Sequence, residues 1–275
     1  MSDQSKTVIL HLGDPIEFNK DLYKQLQESF TVIRPSVEER QRGPWLQALK
    51  DHKWGDFQAV FRPFWNSGGE MGRWDSEMIP LLPKSMRLFA SAGAGYDWAD
   101  VDLLAEAGIL YCNGAAASSE AVADMAIYHI ISVFRNIQWS NTAARSGDAA
   151  QFLDAHRHQP VGAHNPAGFT LGIIGLGNIG YRIGLKAYRC FGMKIIYHDL
   201  SANGHLWAVG LDVHEDEPNV NKRLLQFRNC SFTAHNAGGA FETMLGFEAL
   251  SMKNVLAVLG GKDPITPVNQ NLLKH

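Results

Sequence analysis

Short apolar runs alternate with longer amphipathic segments over the first 112 residues. The apolar runs predict strands at residues 7–11, 31–35, 57–62, 87–91 and 109–112, and the segments between them predict helices at 17–28, 37–52 and 98–107. Strands that alternate with helices pair in parallel and carry the helices on their faces. The pattern therefore predicts an α/β fold with a parallel sheet.

The pattern changes in the second half of the chain. A long apolar stretch at 121–134 follows Ser118, which we interpret as its cap, and predicts a helix that joins two domains. Residues 140–168 are polar and predict an irregular loop in which His156, His158 and His164 are solvated, because their spacing fits neither a helix nor a metal site. A further strand signal then begins near Phe169.

The apolar run 171–174 leads into a glycine-rich turn, and a second apolar run ends at Asp199. Gly175 permits a tight turn, Gly177 lets the backbone approach a pyrophosphate, and Gly180 allows close packing of helix on strand. An acid at position 199 accepts hydrogen bonds from ribose hydroxyls and repels a 2′-phosphate, which favours NAD over NADP. An ordinary glycine turn is the alternative. The predicted cofactor-binding residues here are Gly175, Gly177, Asn178, Ile179, Gly180 and Asp199.

Composition narrows the class of protein. The chain has 275 residues, of which 45% are hydrophobic, so it has room for about two domains. A net charge of −3 provides no broad basic surface, and we expect no nucleic-acid partner. Cys112, Cys190 and Cys230 lie far apart, which predicts reduced thiols and no metal site. No targeting signal or membrane-length apolar run is evident, so we expect a cytoplasmic protein without a membrane partner.

Four further blocks carry a resemblance to a known family: ASAGAGYD at 90–97, EAVAD at 120–124, GLDVHEDEP at 210–218 and TAHNAGG at 233–239. Together with the glycine turn, the chain resembles the D-2-hydroxyacid dehydrogenases, and within them the glyoxylate/hydroxypyruvate reductases. The resemblance implies two parallel-sheet domains. These are a flavodoxin-like substrate domain at 1–113 plus 243–275, and a Rossmann NAD-binding domain at 114–242.

The resemblance also implies the site residues. His235 would donate a proton to the substrate, and Glu217 would orient and charge its ring. Ala94 and Gly95 would bind the substrate carboxylate through backbone N–H groups. Asp212 and Ser119 would lie on the cofactor side.

The residues alone leave other interpretations open. His235 before Asn-Ala-Gly-Gly is also typical of a turn, and Glu217 also fits a solvated acidic run. Ala94 and Gly95 could form a strand-end turn, and Asp212 could be a plain strand-end acid.

One departure from the family pattern is large. Members of the family run from the strand of Asp199 through the rest of the nucleotide sheet and a Thr-Ala-Arg-Gly segment before the Gly-Leu-Asp-Val strand. In this chain the two strands are joined almost directly, so about two β-α units, roughly 60 residues, are missing near 200–205. The catalytic arginine of the family would lie in that gap. We therefore interpret the nucleotide domain as internally truncated.

The sequence thus favours an NAD-dependent oxidoreductase of the 2-hydroxyacid dehydrogenase type that reduces a small 2-oxo acid such as glyoxylate or hydroxypyruvate. We expect a homodimer. The alternative is a catalytically inactive form, or an NAD-responsive binding or dimerisation protein, because the arginine segment is absent.

Overall fold

The computed structural model describes residues 6–198, 209–228 and 230–273. It divides into two compact units, Met1–Ser118 with Phe241–His275, and Ser119–Ala240. The strands are β1 Val8–His11, β2 Thr31–Ile33, β3 Ala59–Arg62, β4 Leu88–Ser91, β5 Leu110–Cys112, β6 Thr170–Ile174, β7 Lys194–His198, β8 Val209–Leu211 and β9 Cys230–Phe232. The α-helices are α1 Lys20–Ser29, α2 Arg42–Lys50, α3 Val101–Glu106, α4 Ala115–Arg135, α5 Ile137–Arg145, α6 Ala149–His158, α7 Asn178–Phe191 and α8 Phe241–Leu259.

The first unit contains one five-stranded sheet in the order β2-β1-β3-β4-β5, and every pairing is parallel. This is the flavodoxin-like order. The sequence prediction of an α/β fold with parallel sheets is confirmed.

The two faces of this sheet bury different residues because side chains alternate along a strand. On one face Leu10, Val60 and Phe89 pack with the indoles of Trp45 and Trp74. On the other face the neighbouring strand residues pack against α1 and α8; this set includes Ile9, Ala59, Phe61, Leu88, Met252 and Val255. Both faces are thus covered, which explains the near-continuous apolar strands.

His11, at the end of β1, is a buried base. Its ring is inaccessible to solvent, stacks on Phe61 with centroids 4.7 Å apart, and places Nδ1 3.1 Å from the Tyr23 hydroxyl. Burial, and next the charge of Arg34, lower the pKa of His11 to about 3. Below about pH 6.5 His11 is protonated in the unfolded chain, whereas it stays neutral in the folded protein until the pH approaches 3.

We therefore expect His11 to make the protein acid-sensitive. Its folded-state pKa lies below the unfolded value, so stability is complete above pH 6.5 and is lost as the pH falls toward 3. The loss attributable to His11 is about 2 kcal/mol between pH 6.5 and 4.5. His11→Leu should remove this slope in denaturant unfolding measured across that range, whereas His156→Leu, at an exposed position in α6, should retain it. Equal slopes in the parent and His11→Leu would contradict the assignment.

Among the described residues of the second unit, the strands form two separate pairs, β6 with β7 and β8 with β9, both parallel. One face of the β6–β7 pair packs on α7 through Ile173, which contacts the positions of Gly180 and Gly184. On these strands Ile174 and Ile196 are 68% and 62% exposed.

The described part of the chain contains no helix with the length and apolarity needed to cross a membrane.

Two sequence predictions about helices were wrong. Residues 140–168 are not one irregular loop, because they contain most of α5 and all of α6. Asp148 caps α6 by accepting from the Ala150 amide at 2.8 Å, and one apolar face of each helix is buried at Ala143 and Ala155. Both helices are polar on average and bury only a narrow face, so the polar composition was misleading. No three His, Cys, Asp or Glu side chains in the described ranges are grouped to hold a metal ion.

The second error concerns the start of α4. Ser118 is not a cap, since the helix begins at Ala115 and Ser118 Oγ donates to the Ala115 carbonyl at 3.4 Å, inside the first turn. The three consecutive alanines at 115–117 favour helix, so the helix begins three residues before Ser118. The helix ends where Asn136 takes a left-handed φ of 49°, which asparagine tolerates better than most residues.

Candidate functional site

The glycine turn connects β6 to α7 in the second unit. Gly175 has a φ of +85°, a backbone conformation that side chains rarely permit. Gly177 occupies the N-cap position of α7, and no atom lies within 4 Å of where its Cβ would be. A Cβ on Gly180 would lie 2.1 Å from the Gly175 carbonyl oxygen, so α7 can approach the turn this closely only with glycine there.

This geometry fits the phosphates of a dinucleotide. Asn178 is exposed and Ile179 half-buried in the first turn of α7, whose amide groups have no partner within the helix. The positive end of the helix dipole and the open space at Gly177 suit an anionic group. Asp199, the predicted ribose-binding acid, lies outside the described residues, as does the junction at 200–205.

His235 lies in the loop that follows β9. Its φ is 50°, an uncommon value for a residue with a side chain, and its amide donates to the Asp212 carbonyl at 2.8 Å. The ring is 57% exposed. Left-handed residues of this kind persist where surrounding contacts fix them, and they concentrate at functional sites.

The structure brings His235 and Glu217 together, with 2.8 Å between Nδ1 and Oε2. The other carboxylate oxygen accepts from the His214 amide at 2.9 Å. The His214 amide, and then the His235 ring, hold the pKa of Glu217 below its usual value. An ionised Glu217 accepts a hydrogen bond only, so Nδ1 carries a proton and Nε2 is the nitrogen left for a reactant. A cavity of about 360 Å³ lies against both side chains.

Asp212 follows β8, and its carboxylate is engaged by the histidine loop. Oδ1 accepts from the Thr233 hydroxyl at 2.6 Å and the Asn236 amide at 2.9 Å, and Oδ2 accepts from the Ala237 amide at 2.9 Å. Burial opposes ionisation, but these hydrogen bonds outweigh it and lower the pKa of Asp212. Its visible contacts thus order the loop, and the sequence did not predict this. Ser119, the other residue expected on the cofactor side, is buried within α4.

Ala94 and Gly95 lie in the first unit, in the loop after β4. Asn113 Nδ2 donates to the Ala94 carbonyl at 3.0 Å, and the Trp98 indole donates to the Gly95 carbonyl at 3.3 Å. The carbonyls are therefore held by side chains of the same unit. Within the described residues neither amide has an acceptor, so both N–H groups are available for an anion.

Sequence reasoning missed one polar group near the site, the imidazole of His129. It is buried on α4, 2.8 Å from Ser231 Oγ and 3.1 Å from Thr233 Oγ1. The available signal was a histidine inside the apolar stretch 121–134. A polar residue on a buried helix face needs a partner, but the sequence does not show which one.

The chain is similar to dehydrogenases and reductases in family model, in sequence and in structure. The family model described as D-isomer specific 2-hydroxyacid dehydrogenase, catalytic domain, matches residues 68–269. A 4-methyl-2-oxopentanoate reductase A from Aspergillus oryzae is 31% identical over 161 residues, which are 58% of this chain and 46% of that protein. The chain spans about half the length of the curated relatives that it matches.

Solved structures of 2-hydroxyacid dehydrogenases and reductases match nearly the whole chain. The holo form of D-mandelate dehydrogenase from Rhodotorula graminis matches with a TM-score of 0.90 and 30% identity, over 97% of this chain and 99% of that one. A glyoxylate reductase from Paecilomyes thermophila matches with a TM-score of 0.82 and 26% identity, over 97% of this chain and 99% of that one. The chain belongs to the D-isomer specific 2-hydroxyacid dehydrogenase family.

Proposed function

We propose that this chain is an NAD-dependent oxidoreductase that reduces a small 2-oxo acid, with glyoxylate and hydroxypyruvate as the candidate substrates. The observation that carries the proposal is the His235–Glu217 pair, whose ring nitrogen and carboxylate lie 2.8 Å apart. The glycine turn of the same unit supports the proposal, because it leaves space at Gly177 for the phosphates of a dinucleotide. Relatives are named for mandelate, 4-methyl-2-oxopentanoate and glyoxylate, which share the 2-hydroxy or 2-oxo acid group.

The chemistry needs a proton at the substrate oxygen. When bound, NADH supplies a hydride to the carbonyl carbon. His235 would donate the proton from Nε2 to the carbonyl oxygen, while ionised Glu217 stabilises the charged ring through Nδ1. In the reverse direction the neutral ring would take the proton back. The pair therefore acts as an oriented general acid and base.

The other predicted residues complete the proposal. The Ala94 and Gly95 amides would hold the substrate carboxylate. Asp212 and Ser119 would lie on the cofactor side, and Asp199 would select NAD over NADP. The sequence lacks the Thr-Ala-Arg-Gly segment, so the two-pronged grip of an arginine is absent. We therefore expect a high KM for the 2-oxo acid. A homodimer in the cytoplasm is also part of the proposal.

His235→Ala should reduce kcat about 10²- to 10⁴-fold, because the reaction loses its proton donor. The measurement is NADH oxidation by the purified chain with glyoxylate, hydroxypyruvate, phenylglyoxylate and 4-methyl-2-oxopentanoate. Glu217→Gln should also lower kcat, since a neutral amide stabilises the charged ring less. Glu215→Gln is the matched control, because Glu215 is exposed in the same loop as Glu217 but makes no hydrogen bond to His235 in the described part of the chain, and it should behave as the parent. Parent-like turnover by His235→Ala would exclude the proton-donor role.

A second function is favoured by the missing arginine segment together with the exposed Ile174 and Ile196. A protein with an intact glycine turn and a bare apolar strand pair could bind NAD and pair with another chain without turnover. NADH-dependent association without NADH oxidation by any substrate in the panel would support this function over the first.

A further inference from the structure

His129 lies on α4 and contacts the start of the loop that carries His235. Its ring is buried, and both nitrogens have hydroxyl partners, Ser231 Oγ at 2.8 Å from Nδ1 and Thr233 Oγ1 at 3.1 Å from Nε2. Ser231 lies on β9, and Thr233 follows that strand directly. The helix is thus tied to the strand at one nitrogen and to the start of the histidine loop at the other.

The direction of these hydrogen bonds follows from the acid at their far end. The Thr233 hydroxyl lies 2.6 Å from Asp212 Oδ1 and has one proton, which it gives to the carboxylate. Its oxygen must therefore accept from His129, so Nε2 carries the ring proton. Nδ1 then accepts from Ser231. Burial lowers the pKa of His129, partly opposed by Asp212, so the neutral ring that this arrangement requires is the favoured form.

The last members of this chain of hydrogen bonds hold the loop itself. The Asp212 carboxylate accepts from the Asn236 and Ala237 amides, each at 2.9 Å, on the C-terminal side of His235. The Asp212 carbonyl accepts the His235 amide at 2.8 Å. Displacement of Asp212 would therefore release the backbone on which the left-handed conformation of His235 depends.

The backbone of β8 is fitted to the same imidazole. A Cβ on Gly210 would lie 2.6 Å from His129 Cβ and 2.9 Å from its Cγ. Glycine at position 210 lets β8 approach the ring closely enough for the following Asp212 to reach Thr233. Close packing and directional hydrogen bonds thus fix one ring orientation.

We propose that His129 is a positioning residue that fixes the His235 loop through Thr233 and Asp212. The inference rests on the proposed function for its catalytic consequence. His129 itself contacts neither reactant: it acts by holding His235 in the orientation from which Nε2 can donate its proton.

The test compares His129→Leu, which removes both hydrogen bonds, with His129→Gln, whose amide can accept from Ser231 and donate to Thr233. Hydrogen–deuterium exchange of residues 233–240 reports on the loop without any need for turnover. In His129→Leu we expect exchange of the Asn236 and Ala237 amides to accelerate about tenfold, and kcat to fall about tenfold, while the KM for NADH stays within about twofold. His129→Gln should restore both quantities.

Thr233→Val provides a second, nearly isosteric break in the same chain of hydrogen bonds and should give the same loop-specific response. Parent-like exchange at 236 and 237 in folded His129→Leu or Thr233→Val would overturn the proposal, as would equal effects of leucine and glutamine at position 129. If the parent does not oxidise NADH, the proposed function fails. The exchange measurement still decides whether His129 positions the loop.

Discussion

Gly180→Ala is expected to destabilise the second unit by about 3 kcal/mol or more, because the new methyl group meets backbone. The added Cβ would lie 2.1 Å from the Gly175 carbonyl oxygen and 3.2 Å from Ile173 Cγ2. Neither the carbonyl nor the start of α7 can yield without breaking the turn. In an exposed helix the same substitution would stabilise by up to about 1 kcal/mol, so the sign of the effect separates close packing from helix propensity.

Gly177→Ala is the matched control for this prediction. Its Cβ meets no atom within 4 Å, and its φ of −73° suits alanine, so unfolding should change by less than about 0.5 kcal/mol. The methyl group would nevertheless occupy the space through which a pyrophosphate approaches, so NADH binding should weaken about tenfold. Thermal unfolding of both variants measures the change in stability, and titration with NADH measures the change in affinity. Parent-like stability of Gly180→Ala would contradict the described packing.

Glu248→Ala is expected to destabilise the first unit by about 3–5 kcal/mol. Glu248 is fully buried on α8, and its carboxylate accepts the amides of Glu17 at 2.7 Å, Phe18 at 3.0 Å and Asn19 at 2.8 Å. The Asn19 side chain adds a further bond at 3.0 Å. These amides precede α1, whose own N-cap makes no side-chain hydrogen bond. The carboxylate therefore caps α1 from another helix.

Urea unfolding of three variants tests this cap. Glu248→Ala leaves three backbone donors without their acceptor and opens a cavity, whereas Glu248→Gln keeps the volume and one acceptor oxygen and should cost about half as much. Glu242→Ala changes an exposed glutamate at the start of the same helix and should cost less than about 0.5 kcal/mol. Equal midpoints for Glu248→Ala and Glu242→Ala would show that the carboxylate does not stabilise the fold.

The sequence predicted those features that depend on local pattern. Buried parallel strands such as Leu88–Ser91 are short apolar runs, and the turn at Gly175 needs a residue without a side chain. Both signals lie within a few neighbouring positions. The α/β class and the position of the glycine turn could therefore be predicted from the sequence.

Features that depend on distant partners could not be predicted in this way. Glu248 and Asn19 are 229 positions apart, and His129 is 102 positions from Ser231. A polar residue in an apolar helix shows that a partner is needed, but only the fold identifies it. Helix α6 was missed for a different reason, since its stability depends on the Asp148 cap and one narrow buried face. The close contact of Glu217 with His235 was expected from family resemblance, and the residues alone favoured a solvated acidic run.

The most direct test of the central claim is calorimetric titration of the purified, folded chain with NADH. A dinucleotide-binding oxidoreductase should give saturable binding with one site per chain and a dissociation constant below about 1 mM, with weaker binding of NADPH. Gly177→Ala should bind more weakly than the parent while remaining folded. A folded parent that shows no saturable NADH binding would contradict the account, because the glycine turn would then be structural only.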